Sequence, residues 1–140
     1  MIAMTRRFPL PSALALAVTL TLLLLPGRDL PDLPDVVGID KLAHAVLFAA
    51  LTLALHRDFR LEGRRLAVGA VFVIAFAAGT ELAQGAVDSR SPDAFDLAAD
   101  LAGSVIGWLA RKPILSACAA LASRLRKRGQ GDEPPDPPSP

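Results

Sequence analysis

The lysines and arginines of this chain fall in alternate gaps between its apolar runs, and few architectures tolerate that arrangement. The runs lie near 9–25, 40–55, 66–87 and 94–110. Segments 1–8 and 56–65 and the chain after residue 110 hold Arg6, Arg7, Arg57, Arg60, Arg64, Arg65, Arg111, Lys112, Arg124, Arg126, Lys127 and Arg128. The other gaps and run ends keep only Arg28, Lys41 and Arg90. Twelve basic residues against three, in short segments on alternate sides, is what the positive-inside rule produces in a chain threaded through a bilayer. A soluble four-helix bundle with very apolar helices has no reason to alternate its arginines. The pattern therefore predicts an all-α, four-helix integral membrane bundle in the cytoplasmic (inner) membrane, with the N- and C-termini cytoplasmic.

Composition agrees. In a chain of 140 residues, 52% are hydrophobic and 21% charged, too few polar side chains for the large relative surface of a small soluble domain. The net charge of +1, with basic residues sorted by side and not gathered into one patch, argues against a nucleic-acid partner. Each run is short against the roughly 20 apolar residues that cross a bilayer core, so three of them must include polar ends. The first follows Arg6-Arg7 and resembles a signal peptide. No small-x-small site follows Leu22-Leu23-Leu24-Leu25, however, and an uncleaved first helix is expected. The pair Arg6-Arg7 is a weak match to a twin-arginine signal.

Three regions follow. Residues 1–112 form the membrane domain. Residues 113–128 begin at Pro113 and place Ile114, Leu115, Cys118, Leu121 and Leu125 opposite Ser116, Ser123, Arg126 and Lys127. That is an amphipathic helix for the inner leaflet, attracted to anionic lipids; a cytoplasmic helix packed on the bundle is the alternative. Residues 129–140, with five prolines, are expected to be a disordered tail. The single cysteine, Cys118, has no partner for an internal disulfide, and Trp108 suits an interfacial anchor. Small residues at Ala99, Gly103 and Gly107, and at Ala75 and Gly79, suit close helix packing in lipid. No internal repeat is visible.

The orientation gathers the polar residues. The second helix enters from outside with Asp40, Lys41 and His44; the third ends outside with Glu81 and Gln84; the fourth starts there with Asp96 and Asp100. Arg90 lies in the outer loop between them. Spacings of three and four put each set on one helix face. Because such groups are costly against lipid, they should line one outward-opening pocket. Asp88 and Asp93 read as solvated loop charges.

These residues carry a family resemblance. Asp40-Lys41-Leu42-Ala43-His44 with Phe48 and Leu51 resembles the first motif of the VanZ-like membrane proteins. Glu81-Leu82-Ala83-Gln84, Arg90, Asp96-Leu97, Gly103 and Gly107 resemble the second. Together they span 40–107, about half the chain. One departure is Asp100, where the family usually has asparagine; it makes the pocket more acidic. The resemblance implies a bacterial host and a link to tolerance of the glycopeptide teicoplanin, without a mechanism.

Three readings stay open. The first is an enzyme on a lipid-linked envelope intermediate, with Glu81, His44 and Asp96 as candidate catalytic acids and bases. Asp40, Lys41, Gln84, Arg90 and Asp100 would bind its ligand, with the cations holding phosphate or carboxylate. The second is a non-catalytic binder of a glycopeptide, a lipid headgroup or an envelope partner. The third is a salt-bridge network that only sets helix register. No resident metal or organic cofactor is expected: a metal variant would use His44, Glu81 and Asp96 or Asp100, but one histidine with carboxylates and no cysteine is a weak metal signature, and no P-loop, HExxH or nucleophile-elbow motif occurs.

Overall fold

The computed structural model describes residues 10–25, 38–87 and 91–131. They form four helices, α1 (Leu10–Leu24), α2 (Ile39–Phe59), α3 (Arg64–Gln84) and α4 (Ala94–Gly131), with no strand among the described residues. Three of these, α2, α3 and α4, are long and apolar enough to cross a membrane. Helix α1 is apolar but has 15 residues, and at 1.5 Å per residue it spans about 22 Å against a hydrocarbon core of about 30 Å.

The chain divides into two compact units, residues 1–109 and 110–140. In the first, α2 and α3 are joined by a four-residue connection, 60–63. Arg60 closes α2 in the left-handed region at φ 49°, and its N–H bonds the His56 carbonyl at 2.8 Å. Gly63, at φ 53°, then starts α3. Leu61 is buried and folds over Gly69, where an added Cβ would sit 2.8 Å from its side chain. This tight return makes α2 and α3 antiparallel, so the start of α2 lies near the end of α3.

Helix α4 runs alongside α2 in the same direction, and glycine permits the approach. A Cβ on Gly103 would overlap the Ala45 carbonyl, and one on Gly107 would lie 2.9 Å from Ala49 Cα. The matched steps of four, 45 to 49 and 103 to 107, keep the backbones in contact for a full turn, the close packing that small residues allow in lipid. Gly79, by contrast, has open space where its Cβ would be, and both Ala75 and Gly79 on α3 are exposed.

Burial is inverted relative to a soluble domain. The apolar core is small: Leu23, Phe48, Val73 and Ala77, flanked by Leu47, Leu55, Phe76 and Leu97. Phe48 and Phe76 pack with ring centroids 5.7 Å apart. His44, Thr52, Thr80, Glu81, Gln84, Asp96 and Asp100 are buried, whereas Val68, Val71, Ile74, Leu82, Val105, Ile106 and Leu109 face outward. A surface of large aliphatic side chains around a polar interior is stable against hydrocarbon and costly against water. The described chain is that of a membrane protein.

Helix α4 differs from expectation at its far end. It continues through Pro113 to Gly131 without interruption, so residues 113–128 are not a separate helix and 129–131 are helical. Proline removes only its own N–H, the donor to residue 109, and the turns on either side keep theirs. The first compact unit ends at that same residue. In the second unit Ile114, Leu121 and Leu125 are exposed, and Ser116 and Ser123 bond back to the carbonyls of Pro113 and Ala120. Residues 132–140 of the expected tail lie outside the described residues.

Replacing Gly103 with valine should drive a branched side chain into the α2 backbone and cost on the order of 3 kcal/mol. Gly79→Ala should leave stability unchanged or slightly raised. Melting temperatures of the two variants in one detergent test the asymmetry, and equal losses would refute it.

Candidate functional site

Because α2 and α4 start where α1 and α3 end, their polar residues meet at one end of the bundle. Lys41 on the first turn of α2 sends its ammonium between two carboxylates, 2.9 Å from Asp93 Oδ2 and 3.0 Å from Asp96 Oδ1. One turn further, His44 Nδ1 lies 2.9 Å from Asp100 Oδ1 and 4.0 Å from Glu81 Oε1. Gln84 is buried and donates from Nε2 to the Leu23 carbonyl at 3.0 Å, satisfying one of the orphan carbonyls at the end of α1.

Asp93 has more to do than a solvated loop charge, and this corrects the sequence reading. It directly precedes α4, and its Oδ1 accepts the Phe95 N–H at 2.8 Å, as an N-cap does. Its own N–H donates to Glu81 Oε2 at 3.0 Å, and its other carboxylate oxygen receives Lys41. One residue thus joins the starts of α2 and α4 to the end of α3. The signal was present in Pro92-Asp93-Ala94 before an apolar run, the usual mark of a helix start. Its side chain accepts from the Lys41 ammonium and from the Phe95 N–H, which holds its pKa below the usual carboxylate value.

Six of the eight residues expected at the site are thus together: Asp40, Lys41, His44, Glu81, Asp96 and Asp100. Asp40, on the exposed first turn of α2, brings a carboxylate oxygen within 4.8 Å of His44 and Asp96, while Gln84 is buried at the same end against the Leu23 carbonyl. Arg90 is outside the described residues.

The cluster has two unlike halves. In the first, Lys41 is matched by Asp93 and Asp96. In the second, His44 (1% exposed) and Asp100 (0%) meet Glu81 inside the bundle. Among the described residues no hydrogen bond reaches Glu81 Oε1, Asp100 Oδ2 or His44 Nε2, all of them buried. Unmatched lone pairs of this kind are costly in a low-dielectric interior. Of the carboxylates around His44, Asp100 approaches its Nδ1 most closely, at 2.9 Å.

The opposite end carries a feature that the sequence reading missed. Ser12, at the start of α1, donates through its N–H and its hydroxyl to Asp58 Oδ2 at 2.9 and 2.7 Å, tying α1 to the end of α2. Beside it lies an open, mostly apolar groove of about 1290 Å³, lined by residues that include Leu16, Leu55, Arg65 and Phe72. It contains none of the candidate site residues; its charged lining is Asp58, Arg64 and Arg65.

The lowered pKa of Asp93 has a defined sign. A carboxyl that ionises more easily when folded adds stability above its unfolded value, about 3.9, and that stability is lost as pH falls through the folded value. At pH 6, Asp93→Asn should melt below the native chain, and the gap should close on acidification below about pH 4. A gap that stays constant from pH 6 to pH 3 would exclude the ionised pair as its origin.

Comparison with protein-family models, with curated proteins and with solved structures found no match for this chain.

Proposed function

We propose that the chain is a VanZ-like, four-span protein of a bacterial cytoplasmic membrane with both termini in the cytoplasm. Its polar end is an outward-opening pocket that binds or acts on a cell-envelope or lipid-linked ligand. The observation that carries this reading is the unpaired half of the cluster. Buried polar groups that serve only to set helix register satisfy one another, whereas His44, Glu81 and Asp100 keep unmatched donor and acceptor atoms. Intramembrane ionisable groups in that condition mark ligand or proton sites. His44 beside two carboxylates suits proton transfer, and the charge distribution of the sequence sets the cluster on the outer side. A protective role toward glycopeptides follows from the motif resemblance alone.

The paired half supports a second, narrower reading. Lys41, Asp93 and Asp96 are joined by ion pairs and bridge two helices and a loop, as a non-catalytic structural brace would. Assigning Asp96 to the brace separates it from Glu81 and His44 as a candidate acid or base.

Charge-neutralising variants test both readings when membrane abundance is scored beside teicoplanin susceptibility. Glu81→Gln, Arg90→Gln, His44→Gln and Asp100→Asn should keep native abundance and lose any protection at least tenfold, about 1.4 kcal/mol at the site. Asp96→Asn and Lys41→Met should lower abundance itself. If Glu81→Gln also disappears from the membrane and a second neutralising change restores it, the whole cluster is a structural network. Reporter fusions in 26–39 and 88–94 that proved cytoplasmic would overturn the topology.

A further inference from the structure

We infer that His44, Glu81 and Asp100 together hold one divalent transition-metal ion. The inference deepens the pocket reading given under Proposed function and rests on it. In the sequence, one histidine with carboxylates is only a weak metal signature, and folding strengthens it. One donor atom from each of the three residues falls within 4.8 Å of the other two, and all three residues are buried.

The separations suit a shared ion. Two donors about 2.1 Å from one cation stand about 3.0 Å apart at right angles and about 4.2 Å apart when opposite. His44 Nδ1 lies 2.9 Å from Asp100 Oδ1 and 4.0 Å from Glu81 Oε1. Glu81 Oε1 and Asp100 Oδ2 have no hydrogen-bond partner among the described residues, and ligation through His44 Nδ1 would replace its one hydrogen bond to Asp100.

Charge balance points the same way. Among the described residues Lys41 is engaged by Asp93 and Asp96. Glu81 and Asp100, the two buried carboxylates beside His44, carry a charge that a divalent ion neutralises inside an apolar bundle. Asp40, His44 and Asp96 also come within the same limit, but Asp96 already receives the Lys41 ammonium. One imidazole with two carboxylates favours an ion of the Mn²⁺ or Zn²⁺ kind over one that takes oxygen alone or thiolate. Three protein donors leave one position open in a four-coordinate ion and three in a six-coordinate one, available to water or to an oxygen of the envelope ligand.

The test uses the full chain in detergent micelles, stripped with chelator and titrated with Mn²⁺. Electron paramagnetic resonance counts the bound ion, and electron spin-echo modulation detects nitrogen coordinated to it. The expected result is one saturable Mn²⁺ per chain with an imidazole nitrogen signal. His44→Gln should abolish that signal, and His56→Gln, which removes the other histidine, should keep it. Glu81→Gln and Asp100→Asn should each weaken binding at least about tenfold, and Asp58→Asn at the opposite end should not. If the site variants fail to fold, the nitrogen signal of the native and His56→Gln chains still decides. A folded native chain that binds no Mn²⁺, or binds it without nitrogen, overturns the inference. In that case, loss of protection in the site variants would leave the pocket reading standing. Bound Mn²⁺ with undiminished protection in those variants would instead keep the ion and remove the functional role.

Discussion

Gly103 and Gly107 let the α4 backbone rest on Ala45 and Ala49 of α2, and that approach sets the distance across which every polar group at the site must act. A side chain at either glycine would move α4 away from α2. His44 and Asp100, each within one turn of this contact, would then stand too far apart for their 2.9 Å approach. Because the two helices run in the same direction with equal steps, the register that joins Ala45 to Gly103 also brings Lys41 to Asp93 and Asp96. The ionic contacts are a consequence of backbone packing, and they reinforce it at one end only.

The second constraint is the solvent. A helix surrounded by hydrocarbon gains nothing by hiding leucine and loses much by exposing a carboxylate. The sorting seen in α3 follows: Val68, Val71 and Ile74 face outward, while Thr80, Glu81 and Gln84 turn inward near its end. Apolar packing is left to a compact set around Phe48 and Val73. Specificity of assembly must then come from close backbone contact and from polar groups that find particular partners. Gln84 on the end of α1 and Ser12 on Asp58 illustrate the latter at opposite ends.

Within the polar end, the division between matched and unmatched groups separates structure from chemistry. Asp93 bonds to all three neighbouring elements through different atoms, and its neighbours Lys41 and Asp96 complete a closed set. His44, Glu81 and Asp100 form an open set. A bundle that needed only rigidity would be served as well by apolar side chains in those positions, and it is on the unspent donors and acceptors of this set that the proposed ligand site rests.

Much of the arrangement was legible in the sequence, and for identifiable reasons. Helical content and membrane character are properties of side-chain type and order, and they appear in the apolar runs and the alternating arginines without knowledge of any contact. The convergence of the second-, third- and fourth-helix polar residues was legible too, because a chain that crosses a layer repeatedly has its turns on known sides. Tertiary structure decided what depends on register and on atoms. It selected Gly103 and Gly107 for packing and left Gly79 exposed. It carried α4 through Pro113, where the loss of one donor is tolerated. It also made Asp93 a junction, committed Lys41 to Asp93 and Asp96, and left the His44–Glu81–Asp100 group unsatisfied. Spacing along one helix shows which residues share a face; only the approach of other backbones, to within a few ångströms, determines which of them meet.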